Sequence, residues 1–262
     1  MKLTSFKYKT RRGPDYRHGE QVSFLDIKQT FGMGNIRIGS WVTREEKDIA
    51  ANLVFDALAD LAYILALPPT AMGLRGQLNL AFGSGGQKGV QAHYAPYLRE
   101  LALAKNAGAG ALAHEFWHAY DHYITSKAFK LSPSHLSRTV PLFATDCWLK
   151  NIEPIAHPLN DRLMDIFKVT LLTEQGLDKH DYVTRSVLAD QAIARQYYSL
   201  PTEMMARAFE SVIESYSDID NPYLVAGTKR LDTLPLYPDE DHKQLIFTAL
   251  QDYFKPLGNA LC

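Results

Sequence analysis

Apolar positions along the chain keep either an alternating or a helical period, and the alternating stretches all fall in the N-terminal half. Ile36-Arg37-Ile38 alternates briefly and predicts a short strand. Gln77 to Phe82 alternates polar with apolar and predicts a half-buried strand; Tyr97 to Ala104 predicts another. Between the first two, Thr43-Arg44-Glu45-Glu46 reads as a capping box. The helix it starts should run to about Ala66, burying Ile49, Leu53, Ala57, Leu61, Ile64 and Leu65, and Pro68-Pro69 stops it. Gly108-Ala109-Gly110 leads into a helix over about 109–125, whose apolar face is Leu112, Phe116, Ala119, Tyr120, Tyr123 and Ile124. Residues 126–158 are irregular and interrupted by prolines. Helices follow at about 160–174, 181–197, 200–216 and 239–254, with a turn-rich 217–237 between the last two.

This pattern predicts an α+β chain, predominantly helical, with 1–262 as a single domain. An N-terminal lobe to about residue 125 holds a small sheet on two helices, and a helical C-terminal lobe covers about 126–262. Residues 1–22 are polar and basic, with a turn at Gly13-Pro14-Asp15, and read as a loose arm.

Composition narrows the class of protein. The 262 residues are 46% hydrophobic and 22% charged, as in a globular domain with a sizeable core. A net charge of −1 gives no field toward nucleic acid or an anionic membrane, so neither is expected as a partner. No apolar run is long enough to span a bilayer, and the basic N-terminus lacks the apolar core of a secretory signal. Cys147 and Cys262 are not spaced as a ligand pair and fit reduced thiols in a cytoplasmic protein. The glycines at Phe31-Gly32-Met33-Gly34-Asn35 and Gly83-Ser84-Gly85-Gly86 lack the context of phosphate loops and read as turns.

The chemistry concentrates in Ala113-His114-Glu115-Phe116-Trp117-His118-Ala119-Tyr120-Asp121. Its His-Glu-x-x-His sets two imidazoles four residues apart on one helical face, where they can hold Zn2+ beside the Glu115 carboxylate. At about 100° per residue, His114, His118 and Asp121 point away from the apolar face of the helix. A catalytic zinc needs a third protein ligand and an open position. Asp121 lies too close on the same helix to wrap the ion and suits a supporting or capping role. Glu203 opens a later helix, beside Pro201, and is the better candidate. It also belongs to a stripe with Arg207, Glu210 and Glu214 that could equally be a solvated charged face.

The motif His114-Glu115-Phe116-x-His118-Ala119-x-Asp121 together with Glu203-x-x-Ala206-x-Ala208-Phe209 resembles the catalytic domain of anthrax lethal factor and its relatives, which are gluzincin metallopeptidases of zincin fold. Longer runs resemble the type-one large polyvalent-protein-associated domain of phage and mobile-element proteins, and bacterial proteins labelled CLCA_X. These are Ile38-Gly39-x-Trp41-Val42, Ala57-Leu58-x-Asp60-Leu61-Ala62, Leu74-x-Gly76-x-Leu78-x-Leu80-Ala81-Phe82-Gly83, Ala92-His93-Tyr94, Gly108-Ala109-Gly110-x-Leu112-Ala113-His114-Glu115 and Leu224-Val225-x-Gly227-Thr228-Lys229. The resemblance implies a zinc site of His114, His118 and Glu203, with Glu115 as general base. Arg207 departs from the acidic residue of the lethal-factor pattern.

Under that reading the chain is a zinc-dependent endopeptidase acting on a peptide or protein substrate, and the strand near 97–104 is the edge to which an extended peptide adds. Tyr197 or Tyr198 would stabilise the oxyanion. His93 and His122 are further donors by type, though structural roles suit them better. The alternatives are a catalytically inactive zinc-binding scaffold of the same fold, and a hydrolase of a non-peptide bond.

Overall fold

A computed structural model describes residues 11–84, 92–105, 110–136, 139–230 and 233–262. Ser23 starts the first helix, α1 (Phe24–Phe31). Its hydroxyl accepts from the Leu25 and Asp26 amides, and the Asp26 carboxylate accepts from the Ser23 amide at 2.7 Å. Gly32, with φ at +63°, closes it in the left-handed conformation, so the predicted turn is this helix's C-cap.

The alternating stretches assemble into one sheet. Its strands are β1 (Ile36–Ile38), β2 (Asn79–Phe82), β3 (Ala92–Ala95) and β4 (Glu100–Leu103), in the order β1-β2-β4-β3. The first three neighbours are parallel, and β3 runs antiparallel to β4 with Ala92 opposite Leu103 and Ala95 opposite Glu100. Parallel β1 and β2 need a crossover, and helix α2 (Arg44–Ile64) supplies it. The Thr43–Glu46 capping box forms as expected, with the Thr43 amide donating to Glu46 at 2.9 Å.

Two expectations fail here. The stretch near 97–104 is β4, and it lies inside the sheet between β2 and β3; the edge belongs to β3. Only Glu100–Leu103 pairs, because Pro96–Leu98 make a helical turn and Arg99 sits at φ +46°. The N-terminal segment is also no loose arm where it is described. Arg11 ion-pairs with Asp60, which is fully buried in α2 and also accepts from Asn221 at 2.8 Å. Arg12 and Asp220 exchange both backbone hydrogen bonds at 2.8 Å, and Arg17 binds Asp56 through two nitrogens at 2.9 and 3.0 Å. Residues 1–10, Gly85, Gly86 and 107–109 lie outside the described residues.

Helix α3 (Leu112–Ala128) is the axis of the molecule. It packs on β3 and β4 on one side and on the C-terminal helices on the other. Those helices are α4 (Ala144–Leu149), α5 (Pro158–Leu171), α6 (Asp181–Ile193), α7 (Pro201–Glu214) and α8 (Glu240–Leu261). Trp117 of α3 lies 4.9 Å from the Phe209 ring of α7, and the hydroxyls of Tyr120 and Tyr253 meet at 2.6 Å. The face of α3 opposite its predicted apolar stripe is therefore covered too, with His118 and Asp121 both buried. α8 continues past the predicted end near 254, through Pro256. Proline has no amide for the carbonyl of Asp252, and Arg162 of α5 donates to that oxygen at 2.7 Å instead. The protein is thus α+β and mostly helical with one small sheet. No helix among the described residues is long and apolar enough to cross a membrane.

Candidate metal centre

The start of α3 is fixed by the segment that follows α7. The Gly110 amide donates to Tyr223 O and the Ala113 amide to Leu224 O, each at 3.1 Å. Gly110 has φ +86°, and a Cβ there would lie 2.6 Å from the Ala226 amide nitrogen, so glycine is required by both conformation and space. Glu214, at the end of α7, accepts from the Gly227 and Thr228 amides at 3.0 and 2.9 Å and holds this segment in place.

The start of α7 is fixed by α6. That helix ends at Ile193, short of the predicted 197, with Ala194 at φ +51°. Asp190 then gathers the loop. Its carboxylate accepts from the amides of Tyr197, Tyr198 and Ser199 at 3.0, 2.7 and 2.8 Å and from the Ser199 hydroxyl at 2.6 Å. Desolvation works against the charged form, but these donors outweigh it and hold the carboxyl at about 2. Pro201 follows at the first helical position, which leaves Glu203 in the first turn.

Together these supports bring two imidazole nitrogens and both oxygens of one carboxylate around one point. His114 Nε2 and His118 Nε2 are 3.2 Å apart. Glu203 Oε2 is 3.3 Å from the first and Oε1 is 3.3 Å from the second. Ligand atoms about 2.0–2.1 Å from a tetrahedral centre lie about 3.3–3.4 Å apart, so the nitrogen–nitrogen pair and each nitrogen–oxygen pair stand at ligand spacing. Glu203 Oε2 is buried with no hydrogen-bond donor despite its closeness to His114, because the separation is met without hydrogen-bond alignment. One proton can bridge one of these pairs; a divalent cation would serve both imidazoles and the carboxylate together.

The outer contacts suit the same use. His114 Nδ1 faces Glu210 Oε1 at 3.1 Å, and Glu210 also accepts from the Tyr237 hydroxyl at 3.2 Å. A proton held on Nδ1 by Glu210 leaves the Nε2 lone pair free. Burial would lower the His114 pKa, but the charges of Glu210 and Glu203 raise it well above the usual histidine value. For Glu203 the balance is the mirror image: burial raises it, and the two imidazoles hold it well below the usual carboxylate range.

Glu115 lies on the same turn of α3. Its Oε2 accepts from the Tyr94 amide of β3 at 2.7 Å, so the sheet edge positions this carboxylate. Tyr197 and Tyr198 part company. The Tyr197 hydroxyl lies against Glu203 with Glu115 near; burial first, then these two charges, raises its pKa. The Tyr198 ring instead packs 5.4 Å from the Arg207 guanidinium. Asp121 is a helix cap: it accepts from the Thr145 amide and hydroxyl at 2.9 and 2.7 Å, at the start of α4. Burial raises its carboxyl to about 6, against the pull of those bonds. His93 is exposed on β3, and His122 Nδ1 pairs with the Tyr94 hydroxyl at 2.7 Å.

The stripe Glu203, Arg207, Glu210 and Glu214 is not a solvated face. Arg207 is buried and donates to the carbonyls of Tyr198 and Leu236 and to Ser186 Oγ, binding the α6–α7 loop to the 234–237 turn. Sequence reasoning missed Glu210 and Tyr94 as site residues. Glu210 was visible only as a member of that stripe, seven residues from Glu203. Tyr94 appeared only within the run Ala92-His93-Tyr94, and the amide by which it holds Glu115 has no side-chain signature.

A family model for large polyvalent protein-associated domain 1 matches residues 189–261. The matched part spans the Asp190 loop, α7 with Glu203 and Glu210, and α8, and it stops short of α3. No curated protein and no solved structure matches the chain.

Proposed function

We propose that this protein is a zinc-dependent peptidase of gluzincin type, with His114, His118 and Glu203 as metal ligands and Glu115 as general base. The observation that carries the reading is the cluster of His114 Nε2, His118 Nε2 and the Glu203 carboxylate, with separations of 3.2–3.3 Å, built from two helices that different parts of the fold hold in place. The fold reading as a zincin rests on the antiparallel edge strand β3 lying beside the His-Glu-x-x-His helix, with a later helix bringing the glutamate.

Zinc in that cradle supplies Lewis acidity at the scissile carbonyl and lowers the pKa of a water there. The chain's own groups do the rest. Glu115 accepts the proton of the attacking water and passes it to the leaving amine, its carboxylate oriented by the Tyr94 amide. Tyr197 faces the reacting centre as a donor to the developing oxyanion. Among the described residues no strand pairs with the outer edge of β3, and the Tyr94 amide reaches Glu115 from that edge. An extended peptide added there runs past Glu115.

Metal analysis with Glu115→Gln is the direct test. The wild-type chain should carry one zinc per molecule and cleave members of a peptide library, and the variant should keep the zinc and lose cleavage. A chain with no affinity for zinc, or a variant that still cleaves, sinks the reading. Zinc without turnover in the wild type would instead assign the cradle to an inactive scaffold.

A further inference from the structure

Next to the cradle is a cavity of about 300 Å³ that the reading above does not use. It lies between β3, α3 and the stretch carrying Leu136, Val140 and Pro141. His122 forms part of its wall, one turn of α3 beyond His118 and so about 6 Å along the helix axis. Tyr94 joins the cavity to the centre: its amide holds Glu115, while its hydroxyl meets His122 Nδ1 at 2.7 Å. A substrate lying across the cradle therefore places a neighbouring residue at this opening.

The wall is unevenly charged. Arg99 and Lys127 both line it, and no Asp or Glu does among the described residues. Arg99 Nη1 donates to the neutral Gln77 side chain at 2.6 Å. Lys127 Nζ donates to the Tyr123 carbonyl at 3.3 Å and stands 3.8 Å from the centre of the Tyr123 ring. Neither forms an ion pair with a described carboxylate. The two cations act on each other and on their neighbours. After burial, Arg99 is the next influence lowering both His122 and Lys127, and Arg75 adds to it at Lys127. Exposed Tyr97, Leu136 and Val140 make an apolar rim.

We propose that this cavity is a substrate subsite for a carboxylate, carried by an acidic side chain beside the scissile bond or by the C-terminus of the substrate. A guanidinium fork matches a carboxylate in plane, and Lys127 adds a second positive charge within the same cavity. Such a group removes the repulsion between Arg99 and Lys127, whereas a basic side chain would increase it. The inference rests on the peptidase reading in taking the cradle as the reacting centre, and its test reads binding, which does not depend on turnover.

Dye-labelled decapeptides with Glu or Gln scanned through each position, each with a free or amidated C-terminus, are bound to full-length zinc-loaded Glu115→Gln protein. Fluorescence anisotropy is the readout. At one position the Glu peptide should bind about tenfold tighter than its Gln partner, with the difference shrinking as salt rises. If the terminal carboxylate is the ligand, the free acid shows this preference over the amide instead. Arg99 and Lys127 are exposed, so Arg99→Gln/Lys127→Gln should fold normally and bind acid and amide peptides equally. Arg99→Lys should retain part of the preference. Equal binding by the parent protein, no binding of either peptide, or a preference that survives in the double variant overturns the subsite. Loss of the peptidase reading alone would show as a wild-type chain that cleaves nothing while this preference persists.

Discussion

The orientation of the His114 ring is set from the side away from the cradle. Glu210, buried on α7, faces Nδ1 at 3.1 Å and is itself oriented by the Tyr237 hydroxyl. A carboxylate behind an imidazole fixes its tautomer and raises its basicity toward a metal. Under the proposed metal reading, Glu210→Gln keeps an acceptor in that place and removes the charge, so zinc affinity should fall about tenfold; Glu210→Ala should cost up to about 100-fold. Competition with a chromophoric chelator measures both, and an unchanged affinity in the alanine variant would show that Glu210 has no hold on the site. The two histidines were legible in the sequence because four-residue spacing on a helix is a local fact. Glu210 was not. A charged stripe at helical spacing says which residues share a face and nothing about what covers it. Here the cover is the stretches around Gly227 and Leu236-Tyr237 and the α6–α7 loop, brought in by tertiary packing.

At the scale of elements, the α6–α7 connection decides where Glu203 and Tyr197 stand. Three successive amides and one hydroxyl converge on Asp190, which makes this loop an anion nest with the protein's own carboxylate in it. Asp190→Ala leaves those donors to solvent and should lower stability by about 1–2 kcal/mol, read from a urea midpoint. Under the peptidase reading, Tyr197→Phe separates the loop's positioning role from its chemical one. It should lower kcat about 100-fold or more with the urea midpoint unchanged, whereas Asp190→Ala moves both. A Tyr197→Phe enzyme at full rate would remove that hydroxyl from the mechanism. Periodicity located α2, α3, α5, α7 and α8 because each carries an apolar stripe over several turns. It overran α6, since Asp190 favours a non-helical backbone from a distance of several residues. α1 escaped notice because eight residues hold too few helical turns to separate from noise, and β3 because Ala92-His93-Tyr94-Ala95 carries no branched apolar residue to mark a strand. The placement of β4 inside the sheet depends on β3 finding it, which no single-strand pattern encodes.

At the scale of the whole molecule, the C-terminal helices that pack on one another have a weak point at acid pH. His242, at the start of α8, is buried; its Nε2 donates to Val169 O of α5 at 2.8 Å, and its Nδ1 is enclosed with no partner. His180, the N-cap of α6, stacks on it with ring centres 3.7 Å apart, and Tyr182 approaches from the same helix. The charged groups facing it are Asp239 on its own element and Arg185 on α6. Burial lowers the His242 pKa most; the Val169 bond and Asp239 oppose this, while His180 and Arg185 add to it, and the result is about 4. The unfolded chain takes up this proton near pH 6.5. Between the two values the unfolded state binds more protons, so stability rises with pH: it is complete above about 6.5 and is lost as pH falls toward 4. The full difference is about 3 kcal/mol, or about 1.4 kcal/mol for each pH unit in between. His242→Gln retains a donor for Val169 and cannot take up the proton. Urea unfolding at pH 7.5 and 5.0 should show a smaller drop in this variant than in the parent chain, by about 2 kcal/mol. Equal drops would place the acid sensitivity elsewhere. Because three helices meet at this ring, its protonation should loosen α5, α6 and α8 together, and hydrogen exchange at pH 5.0 should rise in all three while β2 and β4 stay protected.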